Sequence, residues 1–237
     1  MDTLETPISL RIIDSSAGGG GRIDGSPCQQ EWLFSQIADD IEQQGYSIRP
    51  AALPDAIADA LLTQQLSMSA SMFSNAGVGR GTGFQQTEFI RTDDICWING
   101  DSSAGKAWLD WTSALQRFLN QRLLLGLFSF ESHFAHYRAG AYYRRHYDAF
   151  RGDTNRVLSI VVYLNRGWSN DDGGELAIYA DEFDRVGTRV IPLLGTVVLF
   201  LSEEFPHEVL PARRDRYSVA GWYRVNNSIQ NRIDPPR

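Results

Sequence analysis

VLSIVVYLNRGWSNDDGGELAIY, residues 157–179, is the stretch that decides the fold. It opens on a β-branched and aromatic run, breaks at a cluster of Gly, Asn and Asp, and resumes as a second short apolar run. That is strand, turn, strand, with no helical segment between. The same texture continues outward. Downstream come TRVIPL (188–193), TVVLFL (196–201) and YSVAGWYRV (217–225); upstream lies FSFESHFAHY (128–137). Strands that follow one another without intervening helices imply an antiparallel sandwich or barrel. The reading is an α+β, mainly β fold, with its β-core over residues 128–226.

Upstream of this core the period changes to that of helices. Ser26-Pro27 pairs a capping hydroxyl with proline at the first helical position. Trp32, Leu33, Ile37 and Ile41 follow at helical spacing and Gly45 closes the element, after which Tyr46 and Ile48 alternate like a short strand. Pro54 opens a second helix with Ile57, Leu61, Leu62 and Leu66 on one face. A third is expected over about 104–125, with Trp108, Trp111, Leu115, Phe118, Leu119 and Leu123 as its stripe. Residues 26–127 thus read as helical support, and residues 26–230 as one domain. Residues 1–25, ending in Gly18–Gly21 and Gly25, read as a flexible tail, with LRII as an alternative edge strand. The glycines at 77, 79, 81 and 83 lack the GxGxxG spacing, so a mobile loop containing Arg80 is expected there rather than a phosphate cradle.

Composition narrows the classes of partner. Acidic residues outnumber basic ones, 29 to 22, for a formal net charge of -7, which argues against nucleic acid as a ligand. Neither cysteine, Cys28 or Cys96, sits in a CxxC pair. The start, MDTLETPISLRIID, carries acids where a secretory signal carries Lys or Arg. No apolar run approaches the ~18 residues of a membrane span. The expected location is the cytoplasm.

Chemistry concentrates in AYYRRHYDAF, residues 141–150. Its H-x-D places His146 and Asp148 two apart, and in an extended strand residues two apart face the same way. His207, just beyond the strand TVVLFL, supplies a second imidazole. Two His and one carboxylate make the facial triad of non-haem Fe(II) oxygenases, with positions left open for a chelating co-substrate and O2. H-x-D recurs by chance, so further features carry weight. Arg216 opens an otherwise apolar and aromatic strand, and a buried guanidinium needs an anion. The C5 carboxylate of 2-oxoglutarate would supply one; neighbouring Arg213 and Arg214 read as surface residues. Tyr163 would direct its hydroxyl to the same carboxylate, or to backbone as an ordinary core tyrosine. His133 and His136, three apart in an extended run, face opposite sides and join no triad.

The pattern Y-x-x-G-x-x-Y-x-x-H-x-D (137–148), followed by YLN, GGELAIY, P-H-E-V-x-P-A and RYSVAGWY, resembles the prolyl 4-hydroxylase-like branch of Fe(II)/2-oxoglutarate-dependent dioxygenases. It is similar to the hypoxia-sensing prolyl hydroxylases and their bacterial relatives. FIRTDDICWI (89–98) resembles the strand after that group's substrate-gripping loop. The resemblance implies a double-stranded β-helix, or cupin-like jelly roll, with the N-terminal helices packed on one sheet. It implies His146, Asp148 and His207 as iron ligands, Arg216 and Tyr163 on the far carboxylate of 2-oxoglutarate, and Tyr137 lining that pocket. Trp222 corresponds to a tryptophan near the site and Arg156 to an arginine at its mouth. The Gly-rich stretch at 74–90, and with it Arg80, corresponds to the loop over peptide substrate. Ala220 stands where those relatives carry a hydroxyl, and Asp148 is a ligand acid that disfavours halogenation.

The function this resemblance implies is hydroxylation of a prolyl residue in a protein or peptide. It would use Fe(II), 2-oxoglutarate and O2, with ascorbate as a supporting reductant. A translation elongation factor that delivers aminoacyl-tRNA is one partner the resemblance suggests. The alternatives are a hydroxylase of a free small molecule such as an amino acid, or a metal-binding cupin-like module without turnover.

Overall fold

The computed structural model describes residues 11–13, 26–75, 90–149 and 155–226. Its strands are β1 (Arg11–Ile13), β2 (Tyr46–Arg49), β3 (Ser74–Asn75), β4 (Asp94–Trp97), β5 (Ser129–Tyr137), β6 (Tyr143–His146), β7 (Arg156–Tyr163), β8 (Leu176–Ile178), β9 (Thr188–Val190), β10 (Val197–Leu201), β11 (His207–Val209) and β12 (Arg216–Arg224). Three α-helices, α1 (Pro27–Gln44), α2 (Asp55–Ser67) and α3 (Ser103–Leu123), precede the core. The strands form a five-stranded sheet, β1-β9-β8-β11-β6, and a seven-stranded sheet, β2-β10-β7-β12-β5-β4-β3. The two facing sheets make the expected double-stranded β-helix core.

Strand alternation divides the large sheet into two faces. On β7, Leu158, Ile160 and Val162 join the helices in one core, while Val161 and Tyr163 join Leu176, Ile178 and Val209 between the sheets. The helices therefore cover one face of the large sheet, and the other face lines an interior shared with the small sheet. Trp108 of α3 is fully buried in the helix-side core, its indole N–H donating to Ser132 Oγ at 3.0 Å. The α3 N-terminus is capped by Ser102 Oγ, which accepts from Gly105 N at 2.9 Å.

Several expectations need adjusting. Within the expected tail, Arg11–Ile13 pair in parallel with Thr188–Val190, so the edge-strand alternative describes these three residues; the rest of 1–25 lies outside the described residues. The helical support also contributes β2, β3 and β4 to the large sheet. Ser26 holds the cap position of α1 in extended conformation, but its side chain makes no cap bond. Trp32 and Leu66 are exposed, at 61% and 59%. Leu33, Ile37 and Ile41 of α1 and Leu61 of α2 are buried as expected, and Phe34, Ala38, Ala58 and Gln65 join them. Gln65 is drawn inward because its side-chain amide donates to Ala135 O at 3.0 Å on β5.

Candidate metal and co-substrate site

β6 and β11 pair antiparallel with His146 directly opposite His207, so the register of two short strands brings the two imidazoles together. Their ring centroids are 4.3 Å apart. Asp148 lies in a bend just past β6 rather than in the strand, so alternation alone does not aim it. Ser159 of β7 does, donating from Oγ to Asp148 Oδ2 at 2.6 Å; Ser202 Oγ stands 2.9 Å behind it. Asp148 Oδ1 is 3.6 Å from His146 Nε2, and its Oδ2 is 3.6 Å from His207 Nε2. One donor atom from each residue lies within 4.8 Å of the others. Two ligands at right angles about an ion, each near 2.1 Å, stand about 3 Å apart, so this spacing suits one shared ion.

Protonation suits the same role. The Nδ1 of His146 lies 2.8 Å from Arg144 O, and that of His207 lies 3.1 Å from Phe205 O. A carbonyl can only accept, so each Nδ1 carries the proton and each Nε2 offers its lone pair. Burial, aided by His146, pushes His207 down to about 4, so it is neutral at pH 7. Burial opposes charge on Asp148, but the two imidazoles and Arg156 outweigh it and hold the carboxyl well below its usual range. His207 is thus a neutral imidazole and Asp148 a carboxylate, the states in which these groups bind a metal.

The other end of the interior holds Arg216, 1% exposed. Its Nε donates to Gly174 O at 2.8 Å and its Nη1 to Ser218 Oγ at 3.3 Å. Gly174 has φ +71°, and a Cβ there would lie 2.8 Å from Ala212 Cβ and 3.2 Å from Arg216 Cδ, so the GGEL turn requires glycine. The rings of Tyr137 and Tyr163 flank the guanidinium, with centroids 5.0 and 5.1 Å from its Cζ. Among the described residues no carboxylate pairs with Arg216, and the buried Tyr163 hydroxyl makes no well-formed hydrogen bond. Burial pushes that phenol up to about 12, against the pull of Arg216, so it remains a donor. A buried cation and an orphaned hydroxyl side by side form a receptor for a carboxylate. Ser159, beside Asp148, and Tyr163, beside Arg216, lie on the same face of β7 and about 13 Å apart along it. The donor set and this gap fit a metal at one end and a dicarboxylate bridging to the other.

Trp222 does not join Arg216. Opposite Ser159 in the sheet, it lies at the metal end, where Arg156 covers its ring at 3.6 Å from the centroid. Arg156 also bonds Glu131 Oε1 at 3.0 Å, and Trp97, half exposed, meets His133 edge-on. These residues form an aromatic and charged wall. His133 is buried against Trp97 and Trp222, and His136 bonds Asp215 at 3.0 Å; both stand apart from the triad, as expected. Arg80 lies outside the described residues. Sequence reasoning missed Ser159, Ser202 and the pair Arg91–Asp93. A serine on the inner face of an apolar strand is the one signal that would have pointed to Ser159.

A crystal structure of a Pseudomonas putida prolyl-4-hydroxylase is 40% identical to this chain, with a TM-score of 0.72, covering 82% of this chain and 100% of that one. The chain belongs to the 2OG-Fe(II) oxygenase superfamily, in its prolyl 4-hydroxylase-like branch. The superfamily profile matches this oxygenase over residues 132–224, the span that carries the triad and Arg216. A Trichoplax adhaerens prolyl hydroxylase, solved with a hypoxia inducible factor oxygen degradation domain peptide fragment, is 29% identical, with a TM-score of 0.74 over 83% of this chain and 91% of that one. The prolyl hydroxylase EGLN3 of Mus musculus is 26% identical over 77% of this chain and 80% of its own. The oxygenase is thus a 2-oxoglutarate-dependent dioxygenase that uses Fe(II), 2-oxoglutarate and O2. No helix among its described residues is long and apolar enough to cross a membrane.

Proposed function

We propose that this oxygenase hydroxylates a prolyl residue of a protein or peptide, and that His146, Asp148 and His207 hold its iron. The observation that carries the reading is 40% identity to a prolyl-4-hydroxylase over the whole of that chain. When bound, Fe(II) with 2-oxoglutarate and O2 supplies the oxidising power: one oxygen atom enters the substrate C–H bond, the other enters succinate, and CO2 leaves.

The chain's own residues do the rest. His146 and His207 present unprotonated Nε2 atoms because backbone carbonyls keep the protons on Nδ1. Ser159 fixes the carboxylate of Asp148. Arg216 and Tyr163 grip the distal carboxylate of 2-oxoglutarate, and the Tyr137 ring walls the same end. Val198, Phe200, Leu176 and Ile178, all buried between the sheets, keep water out of that interior. Trp222 and Arg156 border the triad on the side where a substrate would lie. Cys28 and Cys96 are both free thiols, which suits a reducing compartment such as the cytoplasm.

The test is incubation with Fe(II), 2-oxoglutarate and ascorbate, followed by mass spectrometry for an oxygen added to proline. The translation elongation factor that delivers aminoacyl-tRNA is the first protein to try, and free proline the control. Oxidation of free proline but of no protein would replace the reading with a small-molecule one. Replacing Arg216 by Ala should leave iron binding intact and weaken 2-oxoglutarate by roughly 2–3 kcal/mol, the cost of losing one partner of a buried charge pair. Unchanged 2-oxoglutarate affinity in calorimetry would show that the anchor is elsewhere.

A further inference from the structure

Beside the metal site, Arg91, Tyr143 and His146 form one continuous stack. Tyr143 lies flat on the His146 imidazole, with centroids 3.6 Å apart and planes only 16° from parallel. With that face covered, the guanidinium of Arg91 takes the other, its Cζ 4.4 Å from the ring centroid. Arg91 is itself held by a two-point clamp: Nε donates to Asp93 Oδ1 at 2.8 Å and Nη2 to Oδ2 at 2.6 Å. The Asp93 side chain is fully buried. A bidentate pair of this kind fixes the plane of the guanidinium as well as its position.

The backbone fixes the same alignment. Arg91 bridges Tyr143 in antiparallel fashion, Thr92 N donates to Tyr142 O at 3.1 Å, and Arg144 N donates to Ile90 O at 2.9 Å. Immediately after Asp93 the chain enters β4 and the large sheet. Residues 90–97 therefore tie the edge of the small sheet, where His146 sits, to the large one.

A histidine ligand must be fixed in two respects, the tautomer and the direction of the lone pair. The bond from Nδ1 to Arg144 O sets the first, but leaves the ring free to tilt about that contact. The flat stack removes the tilt. We propose that Tyr143, backed by Arg91 on its Asp93 clamp, is a positioning residue that aims His146 Nε2 at the metal. The inference rests on the reading of His146 as a ligand.

The test uses the full chain and Mn(II) as probe, with free Mn(II) read by electron paramagnetic resonance, so no turnover is needed. Partners that orient a ligand are worth about 10–100-fold in metal affinity. Tyr143→Leu should weaken Mn(II) binding by about tenfold or more, while Tyr143→Phe, which keeps the ring, should bind within about twofold of wild type. Arg91→Met should cost about three- to tenfold, and adding it to Tyr143→Leu should cost nothing more, because Arg91 acts through the ring. Wild-type affinity in Tyr143→Leu would overturn the proposal. So would equal losses in Tyr143→Phe and Tyr143→Leu, which would assign the effect to the hydroxyl. If Tyr143→Leu does not fold, Arg91→Met decides alone, and wild-type affinity there overturns the stack. His207→Ala is the control: if it still binds Mn(II) like wild type, the metal assignment itself fails, whereas its loss alongside tight binding by Tyr143→Leu sinks only the positioning role.

Discussion

Ser159 is 1% exposed, and its hydroxyl stands between Asp148 and Ser202. If Ser202 donates to Ser159, the proton of Ser159 is committed to Asp148 Oδ2, and Oδ1 is left as the ligating atom. Replacing Ser159 by Ala removes one oxygen and leaves a half-buried carboxylate oxygen without its donor. The expected result is a protein that folds but binds Co(II) about tenfold more weakly in anaerobic calorimetry. Affinity equal to wild type would mean that the bend after β6 alone aims the carboxylate. The sequence carried part of this arrangement. Alternation in VLSIVVY puts positions 159, 161 and 163 on one face, so a serine facing the same interior as Tyr163 was legible. Its partnership with Asp148 was not, because Asp148 lies outside any regular element and no period specifies where its side chain points.

Among the elements, α3 shows what helical periodicity can tell. Trp108, Trp111, Leu115 and Leu119 are buried as the 3.6-residue stripe predicts, and Phe118 and Leu123 pack at its margin. Trp108 stacks on Trp111 at 5.8 Å and bonds Ser132 on the large sheet, so it joins the helix layer to β5. Trp108→Ala should cost about 3–5 kcal/mol in urea unfolding, from lost burial plus the cavity left behind. A loss under about 1 kcal/mol would mean that the helices are not coupled to the sheet's stability. The shorter elements were harder to read. On α1 and α2 a few apolar residues fit more than one stripe, and hydropathy alone does not anticipate that Gln65 of α2 is buried by its tertiary bond to Ala135 O. β1 shows a different limit: its pairing with β9 joins residues far apart in sequence, and no local pattern encodes such a contact.

At the scale of the whole molecule, folding of the metal-free protein is linked to pH. His133 is buried on the inner face of the large sheet. Burial, reinforced by the charges of Arg91 and Arg156 and opposed by Asp93, pushes it down to about 4 from an ordinary value of 6.5. The depressed group is a base, so protonation favours the unfolded chain. Between pH 6.5 and 4 the unfolded state binds the proton that the folded state refuses, and stability falls as pH falls through that window. At pH 5 one such group costs about 2 kcal/mol relative to pH 7.5. His207 is depressed in the same direction, but it faces Asp148 and the two titrate as a pair, so His133 gives the separable contribution. Urea unfolding of the metal-free wild type and of His133→Gln at about pH 7.5 and 5.0 isolates it. The variant should be less stable at the higher pH, since the contacts of the imidazole with Trp97 and Trp222 are lost. It should also lose about 2 kcal/mol less than wild type on acidification. Equal losses in the two proteins would show that His133 takes up its proton without unfolding, and that the wall beside the metal end admits a charge.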